Sequence, residues 1–222
     1  MFFMKVIPAI IPESKEHLLA SIALLGETAK SIQIDMVDGA YAGEASWPFL
    51  HGGLSEVNTV FSQLVKDYEV EVDLMMQEPE VYAEYLKDIV QRLVVHMGST
   101  KKLDAILEYR KNTDLKIGLA LDNTISLEDF YPYRDRIDFV QCMGIASIGV
   151  QGNAFDSRVL PRIREIHNLH PNLEIDVDGH VTMFTLPLLK DAGATRFISG
   201  SAIFGSENPQ EAYLLLQRLA DA

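Results

Sequence analysis

Eight short apolar runs, rich in β-branched residues and separated by longer amphipathic stretches, limit what this chain of 222 residues can fold into. Alternation of this kind predicts a single (β/α)8 barrel over residues 1–222, with a doubly wound open sheet as the alternative. No Gly-x-Gly-x-x-Gly follows the first run, which disfavours a dinucleotide-binding sheet. The predicted strands are Lys5–Ile10, Ser31–Met36, Val70–Met75, Arg92–His96, Lys116–Ala120, Ile137–Met143, Leu173–Val177 and Arg196–Ser199.

The first and last helices carry recognisable start signals. Ser14 is expected to cap the first helix, and Asn208 followed by proline is expected to open the last. Helical spacing predicts one buried face on the first helix, formed by Leu18, Leu19, Ile22 and Leu25.

Two aspartates close apolar runs at positions where a parallel barrel places its chemistry. Asp35 stands at the end of the second apolar run and Asp178 at the end of the seventh, and carboxylates at the C-terminal ends of barrel strands point into the mouth. Gly200 and Ser201 come directly after the eighth run, where backbone N–H groups at the start of a short helix can bind a phosphate. Two carboxylates facing a phosphate-anchored substrate predict removal and return of a proton.

Composition excludes several classes of partner. The formal net charge of −13 argues against nucleic acid and against anionic membranes, although a local backbone cradle can still bind a small phosphate ester. No apolar run is long enough to span a bilayer, and residues 1–4 lack the layout of a secretory signal, so a cytoplasmic location is expected. The single cysteine, Cys142, is predicted to be a small buried residue.

The order of these signals resembles the ribulose-phosphate 3-epimerase family from the first strand to the last helix. The family pattern His-x-Asp-x-Met-Asp-Gly reads Gln33 to Gly39 here, Val-His-Leu-Met reads Val72 to Met75, and Val-Asp-Gly-Gly reads Val177 to His180. Its Gly-Ser-Ala-Ile-Phe-Gly is reproduced by Gly200 to Gly205, and Met143 matches a methionine of its sixth strand. The resemblance implies a barrel isomerase of carbohydrate metabolism that acts on a phosphorylated ketose, such as a pentulose phosphate.

The same comparison implies a changed metal site. Family members hold a divalent metal, often zinc, with two histidines and two aspartates; the aspartates match Asp35 and Asp178, whereas Gln33 and Asp73 replace the histidines. An all-oxygen set suits magnesium, manganese or calcium rather than zinc. Two alternatives therefore stay open: a divalent ion, magnesium or manganese, held by Gln33, Asp35, Asp73 and Asp178, or a metal-free hydrogen-bonded cluster in which one aspartate stays protonated.

Several further residues are candidates for substrate contact. The phosphate cradle is assigned to Gly179, Gly200 and Ser201, helped by Gly149 or Gly152, while tight turns without a ligand are the alternative. Met75 and Met143 are expected to wall the site or to pack in the core. His96 is either a donor to the substrate or a structural histidine, and His180 either adds a donor or covers its loop. Trp47 and Tyr41 are expected to form a lid or an oligomer contact.

The favoured function is an epimerase in which Asp35 and Asp178 transfer protons through an enediolate. Because strands two and seven are far apart around a barrel, the two carboxylates are expected to flank the sugar. A repurposed, non-catalytic sugar-phosphate binder is the alternative. A hexulose-phosphate synthase or decarboxylase is the weaker one, because those enzymes use Asp-x-Lys-x-x-Asp and Met75 stands at the lysine position. A homo-oligomer is expected.

Overall fold

Eight parallel strands close into a barrel in this computed structural model, which describes residues 3–111, 113–150 and 152–222. Each strand pairs with its neighbours in chain order, and the first pairs with the eighth. The strands are β1 Lys5–Ile10, β2 Ser31–Val37, β3 Glu69–Met75, β4 Arg92–His96, β5 Lys116–Leu121, β6 Phe139–Met143, β7 Glu174–Asp178 and β8 Arg196–Ser199. The predicted (β/α)8 barrel is confirmed, and the open-sheet alternative is wrong.

Helices follow the strands and cover the outside of the barrel. They are α1 Lys15–Leu25, α2 Leu54–Leu64, α3 Glu80–Leu86, α4 Leu103–Leu107, α5 Leu127–Phe130, α6 Val159–Leu169, α7 Leu186–Ala192, α8 Ser201–Phe204 and α9 Pro209–Asp221. Short 3₁₀ segments, Glu108–Lys111 and Tyr131–Arg136, extend α4 and α5. Among the described residues, no helix is both long and apolar enough to cross a membrane.

Both predicted helix caps are present. The Ser14 hydroxyl accepts a hydrogen bond from the backbone N–H of His17 at 3.1 Å, and the Asn208 side chain accepts from Glu211 at 3.3 Å. These bonds satisfy N–H groups that have no partner within the helix. The predicted face of α1 was wrong in one position, because Leu19 is 41% exposed while its three companions are buried.

The apolar core lies between the strands and the helices, whereas much of the barrel interior is polar. Alternate residues of a strand face opposite sides. In β3 the buried acids Glu71 and Asp73 therefore alternate with Val70, Val72 and Leu74 of the outer core. The polar chemistry of this protein is thus collected on the inner face of the sheet.

The N-terminal half of the barrel interior is filled by charged side chains. Arg92 bonds to Glu71 and, at 3.0 Å, to Asp176, while Arg196 bonds to Glu71 at 2.8 Å and Asp176 at 2.5 Å. The Arg92 guanidinium also lies 3.8 Å from the ring centroid of Phe139. These residues are buried and their charges pair, so this network belongs to the scaffold beneath the mouth.

Candidate active site

Asp35 and Asp178 both accept hydrogen bonds from the side chain of Gln33. The Nε2 group of Gln33 donates to Asp35 Oδ1 at 2.8 Å and to Asp178 Oδ2 at 3.0 Å. Although β2 and β7 are not neighbours in the barrel, their side chains converge near its axis. The sequence-based picture of two widely separated carboxylates therefore needs correction: they lie on either side of one amide nitrogen.

Asp73 completes an acidic triad and has its own partners. Asp35, Asp73 and Asp178 each offer an oxygen atom, and these oxygens lie within 4.8 Å of one another. His96 Nε2 lies 2.9 Å from Asp73 Oδ1, and Gln141 Nε2 donates to Asp73 Oδ2 at 2.7 Å. These two contacts hold the Asp73 carboxyl group in place within the barrel.

Burial and repulsion both act on the triad. Burial, followed by the negative charges of Asp178 and Asp73, raises the pKa of Asp35 well above its usual range. Burial and the charge of Asp73 also raise the pKa of Asp178, to about 7, against the opposing effect of the Gln33 hydrogen bond. A pair of this kind readily holds one proton between two carboxyl groups, which is what an acid/base pair needs.

A single pocket above the triad brings together most of the predicted site residues. Its lining includes Asp35 and Asp178 together with Met75, Met143, Gly149, Gly152, Gly179, Gly200 and Ser201. Ala9 and Ile198 add an apolar wall from neighbouring strands. The aspartates and the glycine-rich turns thus face one shared space.

The turn after β7 needs its glycine. Gly179 has φ of 104°, and a Cβ there would come within 2.6 Å of Ile145 Cγ1. The next residue, His180, also has a positive φ of 53°, which is uncommon for a residue with a side chain. Its ring Nδ1 donates to the carbonyl of Asn153 at 2.5 Å, which ties this turn to the loop after β6.

Three predicted site residues do not line the pocket. Gln33, Asp73 and His96 are buried instead, and each is at most 1% exposed. Gln33 contacts Asp35 and Asp178, whereas His96 contacts Asp73. His96 also packs edge-on against Tyr41, with 5.6 Å between the ring centroids. The prediction that Trp47 is a lid or an oligomer contact is wrong, because this side chain is 1% exposed and packs in the core against Phe61.

Two contributors were missed from the sequence. Gln141, on β6, supports Asp73, and the polar residue between Val140 and Cys142 was the available signal. Asp38 was left without a role, yet its carboxylate accepts from the backbone N–H groups of Ala40, Tyr41 and Gln77, each at 2.8 Å. Asp38 thus organises the loop after β2 and ties it to Gln77, which follows β3.

The chemistry of the triad suits an oxygen-seeking cation. Three carboxylates converge, and the buried Gln33 Oε1 has no hydrogen-bond partner among the described residues. Magnesium and manganese prefer such oxygen ligands, whereas zinc favours imidazole, and the Nε2 atom of His96 is already taken by Asp73. The aspartate triad can therefore hold a divalent metal ion.

A closed parallel barrel with carboxylates and glycine-rich turns at its mouth defines the class, the (β/α)8 barrels. Residues 5–204 match the model of the ribulose-phosphate 3 epimerase family, and the chain belongs to that family. The ribulose-phosphate 3-epimerase of Bacillus subtilis is 29% identical over 88% of this chain and 93% of its own length. That of Schizosaccharomyces pombe is 30% identical over 62% of this chain and 60% of its own length.

Solved structures agree on the fold. A 3-keto-L-gulonate-6-phosphate decarboxylase from Vibrio cholerae superposes with a TM-score of 0.76 over 100% of this chain and 98% of its own, at 15% sequence identity. A 3-hexulose-6-phosphate synthase matches with a TM-score of 0.65 over 100% of both chains, at 19% identity. At these identities the likeness concerns the architecture alone.

Proposed function

We propose that this protein is an epimerase of a phosphorylated ketose, in which Asp35 and Asp178 exchange a proton with the carbon next to the ketone. The observation that carries the proposal is their position: both carboxyls line the pocket that also contains Gly179, Gly200 and Ser201. The phosphate would bind at the glycine-rich end, and the ketose would extend from there over the aspartates.

The proton transfers follow from the electrostatics of the pair. One carboxylate removes the proton from one face of the carbon, and the other, protonated, returns a proton to the opposite face. Their raised pKa values favour a form in which one group is ionised and one is protonated. Met75 and Met143, in the pocket wall, would exclude water from the enediolate intermediate.

A metal ion at the triad would supply positive charge for the enediolate oxygens. We propose magnesium or manganese rather than zinc, held by Gln33, Asp35, Asp73 and Asp178. Elemental analysis of protein purified without chelators or a metal-affinity tag tests this assignment. Near-stoichiometric zinc that survives dialysis would refute it.

Exchange of solvent deuterium into the substrate tests the epimerase proposal directly. Pentulose and hexulose phosphates are incubated in D₂O with the protein and with magnesium, manganese or zinc, and exchange is followed by proton NMR. Deuterium should enter at the carbon that is inverted and at no other. Absence of exchange across the whole panel would contradict the proposal.

A sugar-phosphate binder without turnover is the second candidate. Gln33 favours it, because its amide donates to both acids and so competes with their use as bases. Tight binding of a phosphate ester in calorimetry without deuterium exchange would support this function, and robust turnover would exclude it. A lyase is disfavoured because Met75, in the pocket wall, offers no proton donor.

Assembly and location stay predictions. We propose that the protein forms a homo-oligomer in the cytoplasm, and size-exclusion chromatography with light scattering tests the first part. A monomeric mass at micromolar concentration would contradict it.

A further inference from the structure

The side chain of Gln33 bridges the two catalytic candidates, Asp35 and Asp178. Its amide group donates one hydrogen to Asp35 at 2.8 Å and the other to Asp178 at 3.0 Å, and the residue is fully buried. Both donors are used on carboxylates from two different strands. Asp73, the third acid, is outside this bridge and is held by His96 and Gln141.

The other end of the same carboxamide is left without a partner. Gln33 Oε1 is buried and makes no hydrogen bond to any part of the chain that the structure describes. A buried oxygen that lacks a partner costs free energy, so such an atom calls for an explanation. Rotation about the last side-chain bond would exchange the two donors for this acceptor.

The two ends of the amide suit two different states of the triad. Amide hydrogens are attracted to carboxylate oxygens, but they are repelled by a cation bound to those oxygens. The amide oxygen, by contrast, is a good ligand for magnesium or manganese.

We propose that Gln33 is a positioning residue with two settings. In the absence of an ion, its NH₂ group holds Asp35 and Asp178 together, and when a divalent ion binds the triad, the side chain turns and presents Oε1 to the ion. An entering ion must break both hydrogen bonds, so Gln33 weakens metal binding while it keeps the pair aligned without metal. The role of the pair rests on the proposed function, but the two settings do not.

Titration of the metal-stripped, full-length protein with Mg²⁺ tests the two settings. The side-chain NH₂ resonances of Gln33 and Gln141 are assigned in the ¹⁵N–¹H NMR spectrum by their loss in Gln33→Glu and Gln141→Glu. Saturation with Mg²⁺ should shift the Gln33 signals strongly and clearly more than the Gln141 signals, since Gln33 bonds to two acids of the triad and Gln141 to Asp73 alone. Calorimetric binding of Mg²⁺ that leaves the Gln33 signals in place would overturn the proposal.

Substitution tests the competition between the bridge and the ion. Gln33→Glu removes both donors and adds a carboxylate, so Mn²⁺ should bind at least about tenfold more tightly than to the wild type in titrations followed by electron paramagnetic resonance. Binding to Gln33→Glu but not to the wild type would overturn the proposal, because the wild-type side chain would then have no metal-bound setting. Equal or weaker binding by the variant, or no binding by either protein at 10 mM Mn²⁺, roughly tenfold above the Kd of the weakest protein sites for such cations, would overturn it as well.

Neither measurement requires a substrate. If Mg²⁺ shifts the Gln33 signals but no sugar takes up deuterium, the proposed epimerase activity is contradicted and the two settings of Gln33 are not. If the protein turns over a sugar phosphate but bound Mg²⁺ leaves the Gln33 signals in place, only the two settings are contradicted. If Gln33→Glu does not fold, the Gln33 resonances of the wild type are assigned by their loss in Gln33→Met. Their response to Mg²⁺ then tests the two settings.

Discussion

At the scale of single residues, three buried acids lie close to one another. Asp73 has a histidine and an amide as partners, while Asp35 and Asp178 share one amide. Burial, and after it repulsion from neighbouring acids, raises the pKa values of Asp35 and Asp178. The burial and repulsion that lower the stability of the fold also bring the pKa of Asp178 to about 7, where a carboxyl group can both release and accept a proton at neutral pH.

Asp35→Asn and Asp178→Asn should each lower the rate of deuterium exchange by about two to four orders of magnitude, because an amide neither removes nor returns the proton. Both variants should melt no lower than the wild type, since an isosteric neutral group relieves repulsion. Exchange rates by NMR and thermal melts measure the two effects. A variant that retains a tenth of the wild-type rate would contradict the assignment of that residue.

Gly179→Ala should raise KM for the phosphorylated substrate about tenfold or more. The positive φ of 104° is strained for alanine, and the new methyl group would press on Ile145. Steady-state kinetics and calorimetric titration with inorganic phosphate check the effect. Gly53→Ala is the control, because a Cβ there meets nothing within 4 Å, and it should leave KM unchanged.

At the scale of elements, the loop after β2 sets the position of Asp35. Ser46 Oγ accepts from the backbone N–H of Val37 at 2.9 Å and donates to the carbonyl of Asp35 at 3.1 Å. Further along this loop, Gly43 lies against the backbone of Gly149 from the loop after β6. The mouth is therefore framed by two loops in contact, each fixed by its own hydrogen bonds.

Ser46→Ala should lower the free energy of unfolding by about 1–3 kcal/mol, because it leaves the buried N–H of Val37 without a partner. Urea denaturation followed by circular dichroism measures the loss. Ser62→Ala, on the exposed face of α2, is the matched control and should change stability by less than about 0.5 kcal/mol. Equal effects of the two substitutions would show that the Ser46 bonds contribute nothing.

At the scale of the whole molecule, the barrel is closed around paired charges. Arg92 and Arg196 lie between Glu71 and Asp176, and all four side chains are at most 4% exposed. Charges buried in this way contribute little as pairs, but removal of one partner leaves the other uncompensated. The interior of the barrel thus depends on the network as a unit.

Arg196→Met should destabilise the fold by about 3–5 kcal/mol, since Glu71 and Asp176 would then share a single guanidinium. Chemical denaturation measures the change, and Arg164→Met on the exposed side of α6 should be nearly silent. A loss below about 1 kcal/mol for Arg196→Met would indicate that the interior relaxes around the missing charge.

Stability should also depend on pH through Glu69. Burial raises its pKa, but hydrogen bonds from Lys5 and Ser31 outweigh that effect and lower it to about 2. Its unfolded value is about 4.3, so its contribution is present above that pH and is lost as the pH falls toward 2. The contribution is modest because the side chain is 34% exposed.

The advantage of the wild type over Glu69→Gln in free energy of unfolding should therefore be constant near pH 7 and shrink between about pH 5 and pH 2. Urea midpoints at a series of pH values follow it. Glu207→Gln, at an exposed position, should show no such trend. A difference that grows as the pH falls would contradict the assigned sign.

The sequence by itself determined the barrel and most of its mouth. Eight apolar runs separated by amphipathic stretches are compatible with few other folds. The sequence also shows that Asp35, Asp178 and the Gly200–Ser201 turn stand at the ends of strands, and the closure of the barrel brings these ends into one pocket. The polar interior is also visible in the sequence, because acidic and apolar residues alternate along β3 and β7 and successive residues of a strand face opposite sides of the sheet.

Only the tertiary structure decided what those side chains do to one another. Gln33 and Asp178 are 145 residues apart in the chain, and their hydrogen bond depends on the tilt of the strands and on how far each side chain reaches toward the axis. The same holds for the pairing of His96 and Gln141 with Asp73. Periodicity reports the face on which a residue lies, but distances across a barrel arise from its closure, which no local pattern contains.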